Sequence, residues 1–189
     1  FTEIVGNYRA ITLSGSLPPG VPSNIYARLI EIAHTINIPA YLDSSKDALR
    51  DGIAAKPFLV KPNETEISAL LDGKTGSSVQ ELATVIQALS LKYATTIALS
   101  LGKRGALISD GQRVLKAQLP KVEAISAVGS GDSMVAGLVA GFSEGLSLEE
   151  SIKSGVAAGT ANTLTLGAGQ FSVDDFEEIR KEIVLERLI

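Results

Sequence analysis

Val128-Gly129-Ser130-Gly131-Asp132-Ser133 brings together residue types suited to handling an anion and a proton. Glycines on both sides of Ser130 let the backbone approach a ligand closely, and successive N–H groups entering a helix make a compact anion site that the helix dipole reinforces. Asp132, beside that site, is placed to accept a proton from an alcohol whose oxygen attacks a γ-phosphate. Phosphoryl transfer rests chiefly on positioning and charge stabilisation, so such a set works without histidine or cysteine. The plainer alternative is a glycine-rich turn in which Asp132 simply favours the start of a helix.

A second group is Lys61-Pro62-Asn63-Glu64-Thr65-Glu66, at an expected strand-to-helix junction. Asn63 and Glu66 have the spacing of a capping box, each satisfying a backbone N–H near the other. The functional alternative has Glu66 helping to hold Mg²⁺ through water, because Mg²⁺ dehydrates reluctantly, while Asn63 and Lys61 meet phosphate oxygens. A third group, Ser100-Leu101-Gly102-Lys103-Arg104-Gly105, directly follows an apolar strand, where ligands of open α/β sheets bind. Its small residues would admit a triphosphate; Lys103 and Arg104 read as solvated charges. No G-x-x-x-x-G-K-[ST] phosphate loop occurs, nor a G-x-G-x-x-G after a strand.

These groups need a scaffold, and the pattern of apolar residues supplies one. Short buried strands are expected at residues 10–13, 40–42, 58–60 and 96–101, the last three ending at Asp43, Lys61 and Gly102. Helical spacing fills the intervals at residues 24–36, capped by Ser23, and at 46–53, 64–71 and 79–92. Strands alternating with helices define an α/β chain with a mostly parallel sheet. Asp110-Gly111 between two apolar runs predicts a hairpin on the sheet edge. Residues 132–145, 148–164 and 173–188 all read as helices. Ala136, Gly137, Ala140, Gly155, Ala157, Ala158 and Gly159 would let the first two pack closely.

The 189 residues suit a single core, with 45% apolar and 20% charged residues. A net charge of −4 argues against a broad nucleic-acid or membrane footprint, so the expected partner is a small molecule. Absence of cysteine removes disulfides, thiolate metal sites and a thiol nucleophile, and fits a reducing, cytoplasmic setting. The apolar runs are too short to span a bilayer, and no signal-like segment opens the sequence. The one histidine, His34, falls in a helical stretch and receives no role.

In order and spacing, Ser14-Gly15-Ser16-Leu17-Pro18-Pro19-Gly20, Lys61 to Glu66, Ser100 to Gly105 and Ala127 to Gly137 resemble the ribokinase-like PfkB family of carbohydrate kinases. Within it they look most like the branch containing 1-phosphofructokinase and tagatose-6-phosphate kinase. The resemblance implies a three-layer α/β/α fold with a mostly parallel sheet, and ATP-dependent phosphoryl transfer to a hydroxyl of a ketose phosphate such as tagatose 6-phosphate or fructose 1-phosphate. It makes Asp132 the proton acceptor and Gly129, Ser130 and Gly131 the anion hole. Asn63, Glu66 and Lys61 would serve the Mg²⁺ and phosphate network, and Ser100, Gly102 and Gly105 would line the ATP phosphates. Gly159 and Asn162 would border the nucleotide, and Ser14, Gly15 and Ser16 would face the acceptor sugar.

Chains of this family run to about 300 residues, so the sequence is expected to be the carboxy-terminal, nucleotide-binding part, without the first strands and the lid. The fragment alone would turn over poorly, and the full-length protein would pair as a homodimer. Competing readings are a non-catalytic nucleotide-binding regulatory module, or a family kinase for an unphosphorylated sugar or a nucleoside.

Overall fold

The computed structural model describes residue 1 and residues 5–73, 75–76 and 78–189. Among them seven strands form: β1 (Ile11–Ser14), β2 (Ala40–Asp43), β3 (Leu59–Val60), β4 (Thr96–Ser100), β5 (Ala106–Ser109), β6 (Val114–Gln118) and β7 (Val184–Arg187). The helices are α1 (Ile25–Thr35), α2 (Lys46–Ala54), α3 (Glu64–Leu70), α4 (Val79–Tyr93), α5 (Ser130–Ser143), α6 (Leu148–Asn162) and α7 (Val173–Glu182). The strands neighbour one another in chain order. The chain divides into two compact units, one of Phe1–Ser100, Leu107–Val114 and Leu188–Ile189, the other of Leu101–Ala106 and Leu115–Arg187.

In the first unit β1 to β4 are all parallel, as the alternation of strands and helices predicts. The register runs Ile11↔Ala40, Tyr41↔Leu59 and Leu59↔Thr96, which brings the carboxy-terminal ends of these strands to one edge. Tyr41, Leu42, Leu59, Ile97 and Leu99 are fully buried, as are Ile30, Leu49, Ile53, Ile67, Leu82 and Ile86 from the helices. Strands this apolar belong in a parallel sheet shielded from water. Burial also holds the Tyr41 hydroxyl un-ionised, raising its pKa to about 12.

Side-chain caps close the starts of α3, α4, α6 and α7, whereas Asn24 at α1, Ser45 at α2 and Gly129 at α5 make no side-chain cap bond. Asn63 with Glu66 and Ser78 with Glu81 form complete capping boxes at α3 and α4. At α1 the expected cap Ser23 is displaced. Asn24 occupies the N-cap position with near-helical angles and makes no side-chain cap bond. Pro22 already starts the turn, since its carbonyl accepts the Ile25 N–H at 3.1 Å, and this shifts the helix entry by one residue.

Only residues 110–113 join β5 to neighbouring β6, too short a link for a parallel crossover, so the expected hairpin forms, but it is not the sheet edge, because β7 pairs on the far side of β6. Asp110 tightens its turn by accepting the Gln112 and Arg113 N–H groups, each at 3.0 Å.

In the second unit α5 and α6 pack along a stripe of glycines. A Cβ at Gly137 would lie 2.5 Å from the Ser154 carbonyl oxygen, and one at Gly141 would lie 2.8 Å from Ser151 Cα. Gly155 and Gly159 are equally confined by Leu138 and by the Ser130 carbonyl. The close approach is as predicted, but Ala136 and Ala140 are exposed and contribute nothing to it, because the contacting residues repeat at i, i+4 from Gly137.

The expected helix over residues 173–188 stops at Glu182. Ile183 turns extended and Val184–Arg187 becomes β7, antiparallel to β6 with Gln118↔Val184 and Leu115↔Arg187. Leu-Glu-Arg has good helix propensity, but the hydrogen-bonding edge of β6 competes with it and prevails. Gln118 Nε2 donates to Glu186 Oε2 at 2.9 Å across the pair.

Candidate active site

In the first unit the strand ends carry the polar residues. Gly15, in the left-handed region at φ 97°, turns the chain out of β1, and its N–H donates to the Asp43 carbonyl at 2.9 Å. The Ser44 hydroxyl donates to the Gly15 carbonyl at 2.9 Å, and the Tyr26 hydroxyl to the Ser14 carbonyl at 2.9 Å. Ser14, Gly15 and Ser16 are thus held in a fixed loop and remain exposed. One strand over, Lys61 is buried, and its Nζ lies 3.1 Å from Asp43 Oδ2. Asp43 went unassigned in the sequence; its one visible signal was a carboxylate closing a buried strand.

Asn63 bridges in parallel to Ser100, whose N–H donates to the Pro62 carbonyl at 3.0 Å. The Asn63 N–H donates to Glu66 Oε2 at 2.8 Å, and the Glu66 N–H donates to Asn63 Oδ1 at 2.9 Å. The capping box is therefore present, and Glu66 Oε1 stays open among the described residues. The described residues hold no cluster of three or more His, Cys, Asp or Glu side chains able to bind a metal by themselves. That donor set fits Mg²⁺ only in its nucleotide-borne form, where substrate phosphates and water supply most ligands and one carboxylate assists.

In the second unit Gly102 and Gly105 bracket a 3₁₀ turn closed by the Gly105 N–H donating to the Gly102 carbonyl at 3.0 Å. Gly105 is at φ 87°, and a Cβ there would overlap the Ala117 carbonyl oxygen. The structure ties this turn to β6.

The sharpest geometry is at the start of α5. Gly129 is the N-cap, at φ 80°, and a Cβ there would stand 2.5 Å from Ala168 Cβ. The Ser130 N–H and hydroxyl both donate to the Ala127 carbonyl. The N–H groups of Gly129, Gly131 and Asp132 have no acceptor among the described residues. Orphan donors of this kind at a helix N-terminus attract an anion. The Asp132 side chain is exposed and has no partner among the described residues. A free carboxylate thus adjoins three free N–H donors.

Gly159 and Asn162, the last of the predicted set, come to this same loop from α6. Both are buried and turned toward protein. Gly159 makes room for the Ser130 carbonyl, and Asn162 hydrogen-bonds the Val128 carbonyl.

Open α/β sheets bind ligands at the carboxy-terminal ends of their strands, where this chain carries its polar residues. The family model described as pfkB family carbohydrate kinase matches residues 1–175. The chain belongs to that family. It is 37% identical over 172 residues to 1-phosphofructokinase of Haemophilus influenzae, covering 89% of this chain and 55% of that enzyme. It is 34% identical over 173 residues to tagatose-6-phosphate kinase of Staphylococcus epidermidis, covering 90% and 56%. The crystal structure of phosphofructokinase-2 from Escherichia coli superposes with a TM-score of 0.87 at 35% identity, over 95% of this chain and 60% of that one. The expected ribokinase-like three-layer α/β fold is therefore the fold of this chain. The chain spans about half the length of the curated relatives it matches. No helix among the described residues is long and apolar enough to cross a membrane.

Proposed function

We propose that this chain is the nucleotide-binding part of an ATP-dependent sugar-phosphate kinase, acting on a ketose phosphate such as tagatose 6-phosphate or fructose 1-phosphate. The observation that carries the proposal is the unpaired Asp132 carboxylate beside the free N–H groups of Gly129, Gly131 and Asp132. Family membership supports phosphoryl transfer as the chemistry. Relatives named for fructose 1-phosphate and tagatose 6-phosphate chemistry support a phosphorylated ketose as acceptor.

In the proposed reaction Asp132 takes the proton of the acceptor hydroxyl as that oxygen bonds to the γ-phosphorus of ATP. The bond from this phosphorus to the β,γ-bridging oxygen breaks, ADP leaves, and the new phosphate ester carries the transferred group. The free N–H groups stabilise charge on the phosphoryl oxygens during transfer. Bound with ATP, Mg²⁺ would neutralise phosphate charge, and Glu66 Oε1 is the group in this chain suited to assist it through water. Asn63, Lys61, Ser100, Gly102 and Gly105 are assigned to the phosphates on the family resemblance, and Ser14, Gly15 and Ser16 to the sugar. A homodimer of the full-length protein rests on the same resemblance.

The test is phosphoryl transfer from Mg-ATP by the protein at its full natural length, across a panel of ketose phosphates and free sugars. Asp132→Asn is expected to lower kcat by about 10²–10⁴-fold, the usual contribution of a general base, while Mg-ATP binding is kept. Unchanged turnover in that variant would refute the assignment of Asp132. ATP binding without transfer to any acceptor would favour a regulatory module.

A further inference from the structure

The best-connected side chain near the glycine turn is that of Asn162, the last residue of α6, which is 0% exposed. Its Nδ2 donates to the Val128 carbonyl at 2.8 Å. Its Oδ1 accepts the Gly169 N–H at 2.6 Å and lies 3.3 Å from the Ser133 hydroxyl, which donates to it. One carboxamide thus joins the turn before α5, the first turn of α5 and the segment after α6.

The bond to Val128 has a directional consequence. A trans peptide is planar, so its C=O and N–H point opposite ways. Holding the Val128 carbonyl therefore aims the Gly129 N–H away from Asn162, and that N–H is one of the three with no acceptor. Glycine tolerates conformations on both sides of the φ map, so Gly129 by itself offers little resistance to rotation of this peptide. The Gly169 bond acts on the other side of the turn, because Ala168 closes on Gly129.

We propose that Asn162 is a positioning residue for phosphoryl transfer, its carboxamide pinning the Val128–Gly129 peptide so that the Gly129 N–H faces the transferring group. This rests on the start of α5 being the anion site. The role differs from bordering the nucleotide: Asn162 acts through the backbone and contacts no substrate.

The experiment uses the full natural-length protein and compares wild type, Asn162→Asp, Asn162→Ser and Asp132→Asn across pH 6 to 8, with melting temperature measured for each. Asn162→Asp preserves shape and the two acceptor bonds but places an oxygen against the Val128 carbonyl. We expect its kcat at pH 8 to fall at least about 10-fold, below the roughly 10²–10³-fold cost of deleting an oxyanion donor outright, with KM for Mg-ATP within about threefold. Full burial raises the pKa of the new carboxyl while the Gly169 N–H and Ser133 hydroxyl that donate to it lower it; once protonated in acid, its hydroxyl donates again and relative kcat should recover. Asn162→Ser should lose kcat similarly but without recovery.

Wild-type kcat in either folded variant at pH 8, or a loss shared equally by KM, would overturn the proposal. Should the Asp variant not fold, the kcat-against-KM split of the Ser variant decides; failure of both to fold makes Asn162 a core residue and also overturns it. Absent wild-type turnover, or full activity in Asp132→Asn, would instead sink the reading of the site itself.

Discussion

Removing the Asp43 carboxylate from the Asp43–Lys61 pair should cost far more than an exposed salt bridge would. The β2–β3 register runs Tyr41↔Leu59 and Leu42↔Val60, so Asp43 and Lys61 are the next positions along neighbouring strands. Nζ and Oδ2 are 3.1 Å apart, and the two side chains are only 6% and 15% exposed. Water screens such a pair weakly, and deleting the Asp43 carboxylate leaves the buried Lys61 ammonium desolvated without it, at about 3–5 kcal/mol. For a chain of 189 residues, each kcal/mol lowers Tm by about 2–4 °C, so Asp43→Asn should melt roughly 6–20 °C below wild type. In Lys61→Met combined with Asp43→Asn no charge is stranded, and the double variant should be more stable than the sum of the single losses implies by about 1–3 kcal/mol. Thermal unfolding of the four proteins by circular dichroism completes the cycle. Asp43→Asn melting within about 2 °C of wild type, or strictly additive losses, would refute the argument.

Two further perturbations test the scaffold. Gly105→Ala combines a positive φ with overlap on the Ala117 carbonyl, so it should lose at least about 2 kcal/mol in urea unfolding; an unchanged midpoint would contradict the packing described. Burial works against ionisation of Asp110, but the N–H groups of Arg113 and Gln112 and the Arg113 guanidinium outweigh it and hold its pKa below 3.8. A carboxyl whose folded pKa is depressed contributes stability above its unfolded pKa and loses that contribution as pH falls through the folded value. Asp110→Asn should therefore be less stable than wild type at pH 7, with the gap closing below about pH 4; a gap independent of pH would rule this out.

Most of the first unit was legible in the sequence because its signals are local. Apolar runs such as Ile97 to Leu99 mark buried parallel strands, and Asn63 with Glu66 marks a helix start. The start of α5 was legible for the same reason, since Gly129, Gly131 and Asp132 are adjacent in the chain. Long-range partnerships were not. Residues 184–187 look helical until β6, far back in the sequence, offers them a ladder. Asp43 gains its meaning only beside Lys61, and Asn162 only beside Val128 and Gly169. Ala136 and Ala140 were misplaced because size shows that close packing is permitted but not which side of the helix uses it.

The chain-order pairing of β1 through β4 also bears on synthesis at the ribosome. At about 5–20 residues per second, each of these strands emerges within seconds of the neighbour it will pair with. The first unit can therefore grow strand by strand, each addition closing a loop of modest entropy cost. The Gln118↔Val184 pairing follows the opposite schedule: β6 must wait for both α5 and α6 to be made before β7 arrives. That delay leaves the hydrogen-bonding edge of β6 uncovered during translation, a template for pairing with another chain until β7 is made.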